Sequence, residues 1–193
     1  MALLSSSQRA AYLRALGFRG ASQIRNFQRG WNLGPSLAVD GIYGPATDAA
    51  LRQSYANLRA GRPTASAHFS FSEFRCQCGG TLTGCQGVLI HRTHIRRLEA
   101  YRSRVGAGVS IVSGYRCPLH NKRIGGASSS QHMFGVATDI RGPKLSTVRS
   151  YQLFAGIGYS RSSGRVLHVD SRDVGGYNVT HGRPSAPTIW EYA

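Results

Sequence analysis

Two histidines and an aspartate constrain this chain most, because they can share one metal ion only if the fold brings distant segments together. His132 and Asp139 lie seven positions apart in the stretch SQHMFGVATD, and His168 lies in a second strand-like run, RVLHVD. Two imidazoles and a carboxylate that leave a fourth position open are the ligand set of hydrolytic zinc sites. The sequence therefore predicts a zinc centre whose ligands come from separate strands.

The second strand-like run also carries an aspartate next to the candidate ligand. Side chains alternate between the two faces of a strand, so residues 166–170 are predicted to bury Leu167 and Val169 and to turn His168 and Asp170 to the opposite face. Asp170 is thus expected near a metal bound by His168, without needing to be a ligand.

The strongly basic charge limits the partners of the chain. There are 24 Lys and Arg residues against eight Asp and Glu residues, which gives a formal net charge of +16. The cations are spread over the whole chain, whereas nucleic-acid binders usually cluster them on one helix or stripe. We therefore expect attraction to an anionic cell-wall or membrane surface, with no specific binding of nucleic acid.

Length and hydropathy set the broad class of the molecule. A chain of 193 residues fits one ordinary domain or two small ones. No apolar run approaches the length of a membrane span, so a soluble protein is expected. Residues 1–9 lack the charged and apolar regions of a secretory signal, so we expect that the signal was removed or that export follows another route.

The first third of the chain is predicted to be helical, and a linker is predicted after it. Apolar residues recur at helical spacing, and a loop with turn glycines precedes the last helix. Small residues with Pro and Gly follow the helices and leave little to bury. The predicted helices span residues 7–16, 23–31 and 46–58, and the predicted linker spans 59–67.

Four cysteines are confined to the second part of the chain, at Cys76, Cys78, Cys85 and Cys117. An even count allows two disulfides in three pairings. The same four thiols could bind a structural zinc ion, with Cys117 as the distant ligand. Both interpretations stay open at the level of the sequence.

The helical part resembles the three-helix peptidoglycan-binding domain found on many cell-wall hydrolases. The resemblance rests on Phe27-Gln28, on Val39-Asp40-Gly41, on Tyr43-Gly44-Pro45 and on Thr47. It implies that residues 1–62 form a small domain that binds peptidoglycan. Asp40 and the glycines are expected to fold the loop between helices rather than to contact a ligand.

The second part resembles the M15-type zinc peptidases, which include zinc D-alanyl-D-alanine carboxypeptidases, murein endopeptidases and phage endolysins. The resemblance implies that residues 68–193 form a hedgehog/DD-peptidase-like zinc peptidase domain with an antiparallel sheet, so the whole chain is expected to be α+β. The motifs that carry it are Ser113-Gly114-Tyr115-Arg116, Asn121, Gly125-Gly126-Ala127, Ser130-x-His132-x-x-Gly135-x-Ala137-x-Asp139, Gly156-x-Gly158-Tyr159 and His168-Val169-Asp170.

Carried over by position, the resemblance implies roles for individual residues. His132, Asp139 and His168 match the zinc ligands of the family. Arg116 matches the arginine that contacts the carboxylate or carbonyl oxygen of the substrate, and Ser130 matches a serine that hydrogen-bonds substrate.

The general base is the point at which this chain departs from the family. Many relatives carry an acid three residues before the last histidine, and that position is Arg165 here. The next position, a histidine in some relatives, is Val166. Asp170 is then the candidate base, and the alternative is that Asp170 only orients a zinc ligand.

The function implied by these resemblances is zinc-dependent hydrolysis of amide bonds in the stem peptides or cross-links of peptidoglycan. A monomeric phage endolysin with antimicrobial, bacteriolytic activity is expected, located in the host cytoplasm and then in the periplasm or cell wall. The alternatives are a bacterial autolysin, a secreted carboxypeptidase, or a wall-binding pseudo-peptidase without catalysis.

Several further residues have weaker signals. His91 and His94 have helical spacing that could chelate a metal, but surface histidines are the expected interpretation. His120 could line the cleft, whereas His181 in a polar C-terminal tail is expected to have no role. Core packing is the expected role of Tyr159.

Overall fold

The structure is a computed structural model, and it describes residues 2–177 and 181–192. Helices and one sheet alternate along the chain, in agreement with the α+β class predicted from the sequence. None of the described helices is long and apolar enough to cross a lipid bilayer.

Three helices form the first part of the chain. Helix α1 begins with a capping box, in which the side chain of Ser5 accepts a bond from the Gln8 amide while Gln8 bonds back to Ser5. Helix α3 has a proline in its first turn. The boundaries agree with the predicted helices to within about a turn: α1 spans Ser6–Ala15, α2 spans Gln23–Gly30 and α3 spans Pro45–Arg59.

The loop before α3 is organised by one buried amide. The Gln28 Nε2 atom lies 2.9 Å from Asp40 Oδ1, 3.0 Å from the Ile42 carbonyl oxygen and 3.1 Å from Thr47 Oγ1, which share its two hydrogens, and Gln28 Oε1 accepts from the Gly41 amide at 2.8 Å. These bonds use both amide hydrogens, and the Gln28 side chain is almost fully buried, so it does not face a ligand. Asp40 and Gln28 therefore hold the loop in place.

The described residues of the second part contain three further α-helices and a five-stranded sheet. The helices are α4 (Arg92–Val105), α5 (Pro118–Arg123) and α6 (Leu145–Ser150). The strands are β1 (Ile111–Ser113), β2 (Ala137–Ile140), β3 (Gly156–Ser160), β4 (Val166–Asp170) and β5 (Thr188–Tyr192). Their order in the sheet is β1-β2-β4-β3-β5.

The sheet is mixed, which corrects the prediction of a purely antiparallel one. Strands β1, β2, β4 and β3 pair antiparallel, whereas β5 pairs parallel to β3 along its full length. The C-terminal segment was expected to be a polar tail. It becomes a strand because β3 offers it a free edge, which is a long-range partner that local sequence does not reveal.

One hydrophobic core joins the helical part to the rest of the chain. Phe18 and Phe27 from the helical part pack on Phe71, with ring centroids 4.8 Å and 5.8 Å from it, and all three side chains are fully buried. Burial of a phenylalanine contributes roughly 1.5–3 kcal/mol, so this contact fixes the two parts together.

The prediction that the linker over 59–67 leaves little to bury is corrected by the burial of its second half. Thr64, Ala65 and Ser66 are almost fully buried. The Thr64 carbonyl accepts a bond from Ser54 Oγ at 3.0 Å, and Ser66 Oγ donates to Glu99 at 2.6 Å. Small side chains permit close packing here, and the backbone is satisfied by Ser54 and by backbone bonds with Asn32 and Phe69. A composition poor in large apolar residues therefore does not imply exposure.

Candidate metal centre

The three candidate ligands meet where β2 and β4 pair. Asp139 in β2 lies directly opposite His168 in β4 in the antiparallel register. His132 belongs to a short 3-10 helix, Gln131–Phe134, that ends at Gly135 in the left-handed conformation (φ 70°) just before β2. A side chain at Gly135 would also collide with the Leu89 backbone. Glycine is therefore required for the turn that connects the 3-10 helix of His132 to β2.

The spacing of the ligand atoms fits a tetrahedral ion. His132 Nε2 lies 3.1 Å from Asp139 Oδ1 and 3.1 Å from His168 Nδ1, and the last two atoms are 3.0 Å apart. Zinc–ligand bonds of about 2.0–2.1 Å at tetrahedral angles separate neighbouring ligand atoms by about 3.3–3.4 Å. The triangle is therefore close to one face of a zinc coordination sphere.

The protonation of both histidines leaves these atoms free to bind a cation. His132 Nδ1 lies 2.6 Å from the Gly114 carbonyl, which can only accept, so the proton of the neutral ring is on Nδ1. His168 Nε2 lies 3.2 Å from Asp170 Oδ2, which places its proton on Nε2. Three lone pairs thus converge within 3.1 Å, an arrangement that a divalent cation stabilises.

The pKa shifts of His132 and Asp170 agree with that protonation. For His168, burial lowers the pKa, but hydrogen bonds with Asp139 and Asp170 outweigh burial and raise that pKa, so a bound cation is needed to keep its Nδ1 free of a proton. Burial lowers the pKa of His132, because the charged imidazolium loses its hydration. Burial raises the pKa of Asp170, but hydrogen bonds from His168 and Arg172 outweigh burial and hold that pKa well below its usual range. Asp170 is therefore an ionised acceptor for the His168 proton.

Asp170 lies behind His168 and away from the open side of the centre. Its side chain is fully buried, and both oxygens accept bonds from Arg172, at 2.9 Å to Oδ1 and 2.7 Å to Oδ2. The imidazole of His168 separates this carboxylate from the metal-facing Nδ1. The geometry therefore favours the alternative left open by the sequence, orientation of His168, over the role of general base.

Two glycines of the sequence motif make room for this arrangement. A Cβ at Gly156 would overlap the carboxylate of Asp170, and a Cβ at Gly158 would lie 2.8 Å from Trp190 Nε1 and 2.6 Å from a ring carbon of Tyr192. Distances under about 3 Å are not tolerated by packed atoms. Gly156 thus leaves space for Asp170 of the neighbouring strand β4, and Gly158 leaves space for the aromatic residues of β5, the neighbour on the opposite edge of β3.

Arg116 contacts a metal ligand as well as the cleft. Its Nη2 donates to Asp139 Oδ2, and its Nε donates to Ser113 Oγ at 3.1 Å. This pair holds Asp139 so that Oδ1 faces the two histidines. Arg116 was predicted to contact substrate, and its side chain is 17% exposed, so its remaining donors are accessible from the cleft.

The open side of the centre is a cleft with two lobes on either side of Arg116 and Tyr192. One lobe, of about 330 Å³, contains Ser130 and both histidine ligands. The other, of about 490 Å³, contains Asp139 and the exposed Leu167. Leu167 was predicted to face the core, and it instead forms a wall of the cleft. The register of β3 against β4 shifts here, with Gly158 opposite His168 and Tyr159 opposite Val166. Leu167 is therefore an extra residue that breaks the alternation, while Val169 is buried as predicted.

Trp190 and Tyr192 are site residues that the sequence analysis missed. The Trp190 ring lies 5.1 Å from the His168 ring, and Arg172 lies 5.2 Å from the centroid of Trp190. Both aromatic residues border the lobe that holds the histidines. The alternation of aromatic and polar residues in Thr188–Tyr192 is the signal that could have identified them.

A free carboxylate is lacking in the cleft among the described residues. Asp139 is the acid that lines it, and both of its oxygens already face histidine or arginine. Arg165, at the position of the family acid, is exposed and outside both lobes. Glu191 is bonded to Arg161 and Tyr159 at the sheet edge.

The remaining predicted residues lie outside the centre. His91 caps α4 by accepting from the Thr93 amide at 3.2 Å. His120 is half-buried on α5 and borders neither lobe, and His181 is exposed. Tyr159 packs partly on the core, as expected.

His94 corrects the prediction of a surface histidine. It is fully buried, and its ring nitrogens lie 2.9 Å from Ser171 Oγ and 3.2 Å from Thr138 Oγ1. Those two residues follow or belong to the strands that carry the ligands. Helical spacing on α4 points one face inward, and the sequence gives no sign that a histidine occupies that face.

Burial of His94 predicts a loss of stability in acid. Burial lowers its pKa from 6.5 to about 3, so its stabilising effect is complete above about pH 6.5 and is lost as the pH falls toward 3. At pH 4.5 we expect roughly 2–3 kcal/mol less stability from this group. Urea unfolding of the metal-free protein at pH 7 and pH 4.5 measures the loss. The His94→Gln variant should show a flatter pH dependence, and an unchanged slope would contradict the prediction.

The four cysteines also come together, at a second cluster on the far side of the turn that carries Arg116. Their sulfur atoms all lie within 4.8 Å of one another, and all four are free thiols. The cluster is described in detail below.

Comparisons with known proteins agree with this geometry. A family model described as Peptidase M15 matches residues 67–170. The zinc D-Ala-D-Ala carboxypeptidase of Streptomyces albus G is 30% identical over 130 residues, which cover 55% of this chain and 51% of that protein. The chain thus spans about half the length of this curated relative. The family match includes the three ligands and Asp170, whereas the helical part and β5 lie outside it.

Proposed function

Because the chain belongs to the peptidase M15 family, we propose that it is a zinc peptidase that hydrolyses amide bonds in the stem peptides or cross-links of peptidoglycan. One observation carries the proposal: three proton-free ligand atoms converge within 3.1 Å at the floor of an open cleft. The zinc cofactor predicted from the sequence is confirmed by the family and by the zinc carboxypeptidase among its relatives.

The residues of the centre have different roles in the proposed amide hydrolysis. Zinc, when bound, supplies Lewis-acid polarisation of a carbonyl and activation of water. His132, His168 and Asp139 hold the ion, Asp170 fixes the His168 tautomer, and Arg116 offers donors to an anionic or carbonyl oxygen of the substrate. Trp190 and Tyr192 cover one side of the cleft, where they reduce the access of bulk water.

The lobes on either side of Arg116 favour a substrate that extends in both directions. An extended peptide advances about 3.3 Å per residue, so lobes of about 330 and 490 Å³ each accommodate one or two residues. A stem peptide with a terminal D-alanine and a cross-linked peptide both have this form. The two substrates differ in their contact with Arg116. A stem peptide presents a free terminal carboxylate that pairs with this cation, whereas a cross-linked peptide presents an uncharged carbonyl oxygen.

Replacement of Arg116 by lysine is expected to weaken binding of substrates with a free terminal carboxylate. Lysine keeps the charge but loses the planar pair of donors, and a charged hydrogen bond of about 1.5–3 kcal/mol corresponds to roughly a 10- to 100-fold rise in KM. The measurement is KM for a stem peptide and for its C-terminal amide. Equal effects on both substrates, with weaker zinc binding, would show instead that Arg116 acts only through Asp139.

Digestion of purified cell walls tests the proposed activity. Loss of turbidity that stops with a chelator and returns with zinc is the expected result, and mass spectrometry of the released muropeptides identifies the bond. Release of terminal D-alanine indicates carboxypeptidase action, whereas loss of cross-linked dimers indicates endopeptidase action. No change in wall composition with fully loaded protein would exclude both.

A non-catalytic wall-binding protein is the second candidate, and the absence of a free carboxylate in the described part of the cleft favours it. This alternative predicts that the zinc-loaded protein sediments with walls without altering their composition. Binding to duplex DNA that survives chelation and weakens steeply with salt would instead support a nucleic-acid function.

We also propose that the helical part anchors the enzyme to the wall in a lytic, endolysin-like role. The net charge of +16 and the resemblance of the three helices to wall-binding domains support it, although Gln28 and Asp40 themselves hold the loop and do not contact a ligand. The proposed location is the host cytoplasm followed by the periplasm or cell wall; a bacterial autolysin or secreted carboxypeptidase would act outside the cell. Lysis of intact cells from outside or only after permeabilisation distinguishes these settings.

A further inference from the structure

The four cysteines form a compact cluster that the proposed reaction does not use. Cys76, Cys78 and Cys85 come from the segment between Phe74 and Leu89, and Cys117 precedes α5. The Cys78 sulfur lies 3.4 Å from that of Cys85 and 3.9 Å from that of Cys117, and all four sulfurs lie within 4.8 Å of one another.

We propose that Cys76, Cys78, Cys85 and Cys117 bind a structural zinc ion. Four thiolates at about 2.3 Å from zinc are about 3.8 Å apart at tetrahedral angles, which is close to the two measured separations. Disulfides would instead group the sulfurs in pairs about 2.05 Å apart. The contact of Cys78 with two other sulfurs is the arrangement that a shared ion requires.

Backbone amides surround the cluster as they would surround bound thiolates. The Cys117 amide donates to the Cys76 sulfur and the Gly87 amide donates to the Cys85 sulfur, both at 3.4 Å. Gly87 has a φ of 71° and lies against the Gly17 backbone, so a side chain there would displace this donor. Amide donors reduce the charge density on sulfur and stabilise thiolates over thiols.

The acidity of Cys78 is consistent with this role. Burial raises the pKa of its thiol, but hydrogen bonds from Cys76, Cys85 and backbone amides outweigh burial and lower the pKa to about 7. Burial raises the pKa of the Cys76 and Cys85 thiols, and a bound cation would lower the pKa of all four thiols.

The segment that carries three of the cysteines needs such a constraint. Between Phe74 and Leu89 the backbone forms one isolated bridge, Arg75 to Val88, and no regular element. Val88 joins the main core, but the cysteines form a small separate cluster, with Tyr115, Leu82 and Leu89 around the sulfurs. A cluster of this size contributes little stability by itself, and a metal ion commonly replaces the missing core.

The proposed ion would also fix the turn that positions the candidate metal centre. Cys117 directly follows Arg116, and the Tyr115 amide donates to the Phe74 carbonyl at 2.9 Å. In the same turn, the Gly114 carbonyl accepts the proton of His132. An ion held by Cys117 and the preceding segment therefore restrains both the arginine and the tautomer of a zinc ligand. This inference does not depend on the proposed hydrolysis.

Metal analysis of a variant without the first centre tests the proposal. The full chain is expected to hold two zinc ions, and the His132→Ala/His168→Ala double variant one, which is released in step with titration of four thiols by an organomercurial. Cobalt substituted into the double variant should give the intense thiolate-to-metal absorption of a four-sulfur site. All cysteines are intact in this variant, so the result does not depend on the folding of a cysteine mutant.

Two results would overturn the proposal. Protein purified without reductant that shows no reactive thiols after unfolding, and no zinc in the double variant, would establish two disulfides. Iron in place of zinc would establish a different site.

Hydrogen exchange adds a second measurement. The organomercurial should increase exchange in residues 75–88 and 113–117 while leaving exchange in α1–α3 unchanged. An equal increase in exchange across the chain would contradict a local structural role.

Discussion

Replacement of His132 by alanine is expected to abolish wall hydrolysis and to remove the ion from the first metal centre. His132 is almost fully buried, and its proton-free Nε2 lies 3.1 Å from both of the other ligand atoms. Loss of Lewis-acid stabilisation worth several kcal/mol corresponds to a decrease in kcat/KM on the order of 10³-fold or more. Muropeptide release and zinc content per chain are the two measurements.

His181 offers the matched control for this experiment. It is an exposed histidine outside both lobes of the cleft, so His181→Ala should retain wild-type zinc content and activity. Wild-type hydrolysis by His132→Ala would place the catalytic centre elsewhere in the molecule. The same result for both variants would mean that the convergence of the three ligands has no functional role.

Replacement of Asp170 by asparagine is expected to weaken zinc binding without removing a ligand. Asparagine is isosteric but can present an N–H group to His168. The tautomer of His168 that carries its proton on Nε2 and its lone pair on Nδ1 is then no longer favoured. Loss of such a partner lowers metal affinity by about 10- to 100-fold. Arg172, whose side chain is 14% exposed, also loses a charged partner, at a cost on the order of 3 kcal/mol.

Asp173→Asn separates these two effects. Asp173 pairs with Arg97 through two hydrogen bonds, at 2.5 and 2.7 Å, and both side chains are mostly buried. It touches none of the three zinc ligands, so its replacement should reduce stability alone. Competition with a chelator measures zinc affinity, and urea unfolding of metal-free protein measures stability. Equal zinc affinity in Asp170→Asn and Asp173→Asn would exclude the orienting role.

Local motifs were sufficient to identify the residues that converge at the first centre. The spacing of His132 and Asp139 forces a turn between them, and the alternation around His168 places it on the same face as Asp170. The helices of the first part followed from apolar spacing and caps in the same way. These features depend on neighbours within a few residues, so the sequence itself contains them.

Features that depend on distant partners were missed or mistaken. Strand β5 exists because β3 has a free edge, so Trp190 and Tyr192 could not be placed beside His168 from their own surroundings. Leu167 was assigned to the core by alternation alone, but alternation breaks where the register of β3 against β4 shifts. The predictions that residues 64–66 have little to bury and that His94 lies on the surface were wrong for the same reason, because the residues that bury them lie far along the chain.

The shared core around Phe71 has a consequence for how the molecule can be divided. A cut near residue 63 would remove Phe18 and Phe27 from Phe71 and expose aromatic surface on both fragments. The two parts therefore do not behave as interchangeable modules on a flexible tether. A chimera that exchanges the helical part must carry a complementary aromatic face. When the helical part binds a surface, the shared core also fixes the distance and the angle between that surface and the cleft.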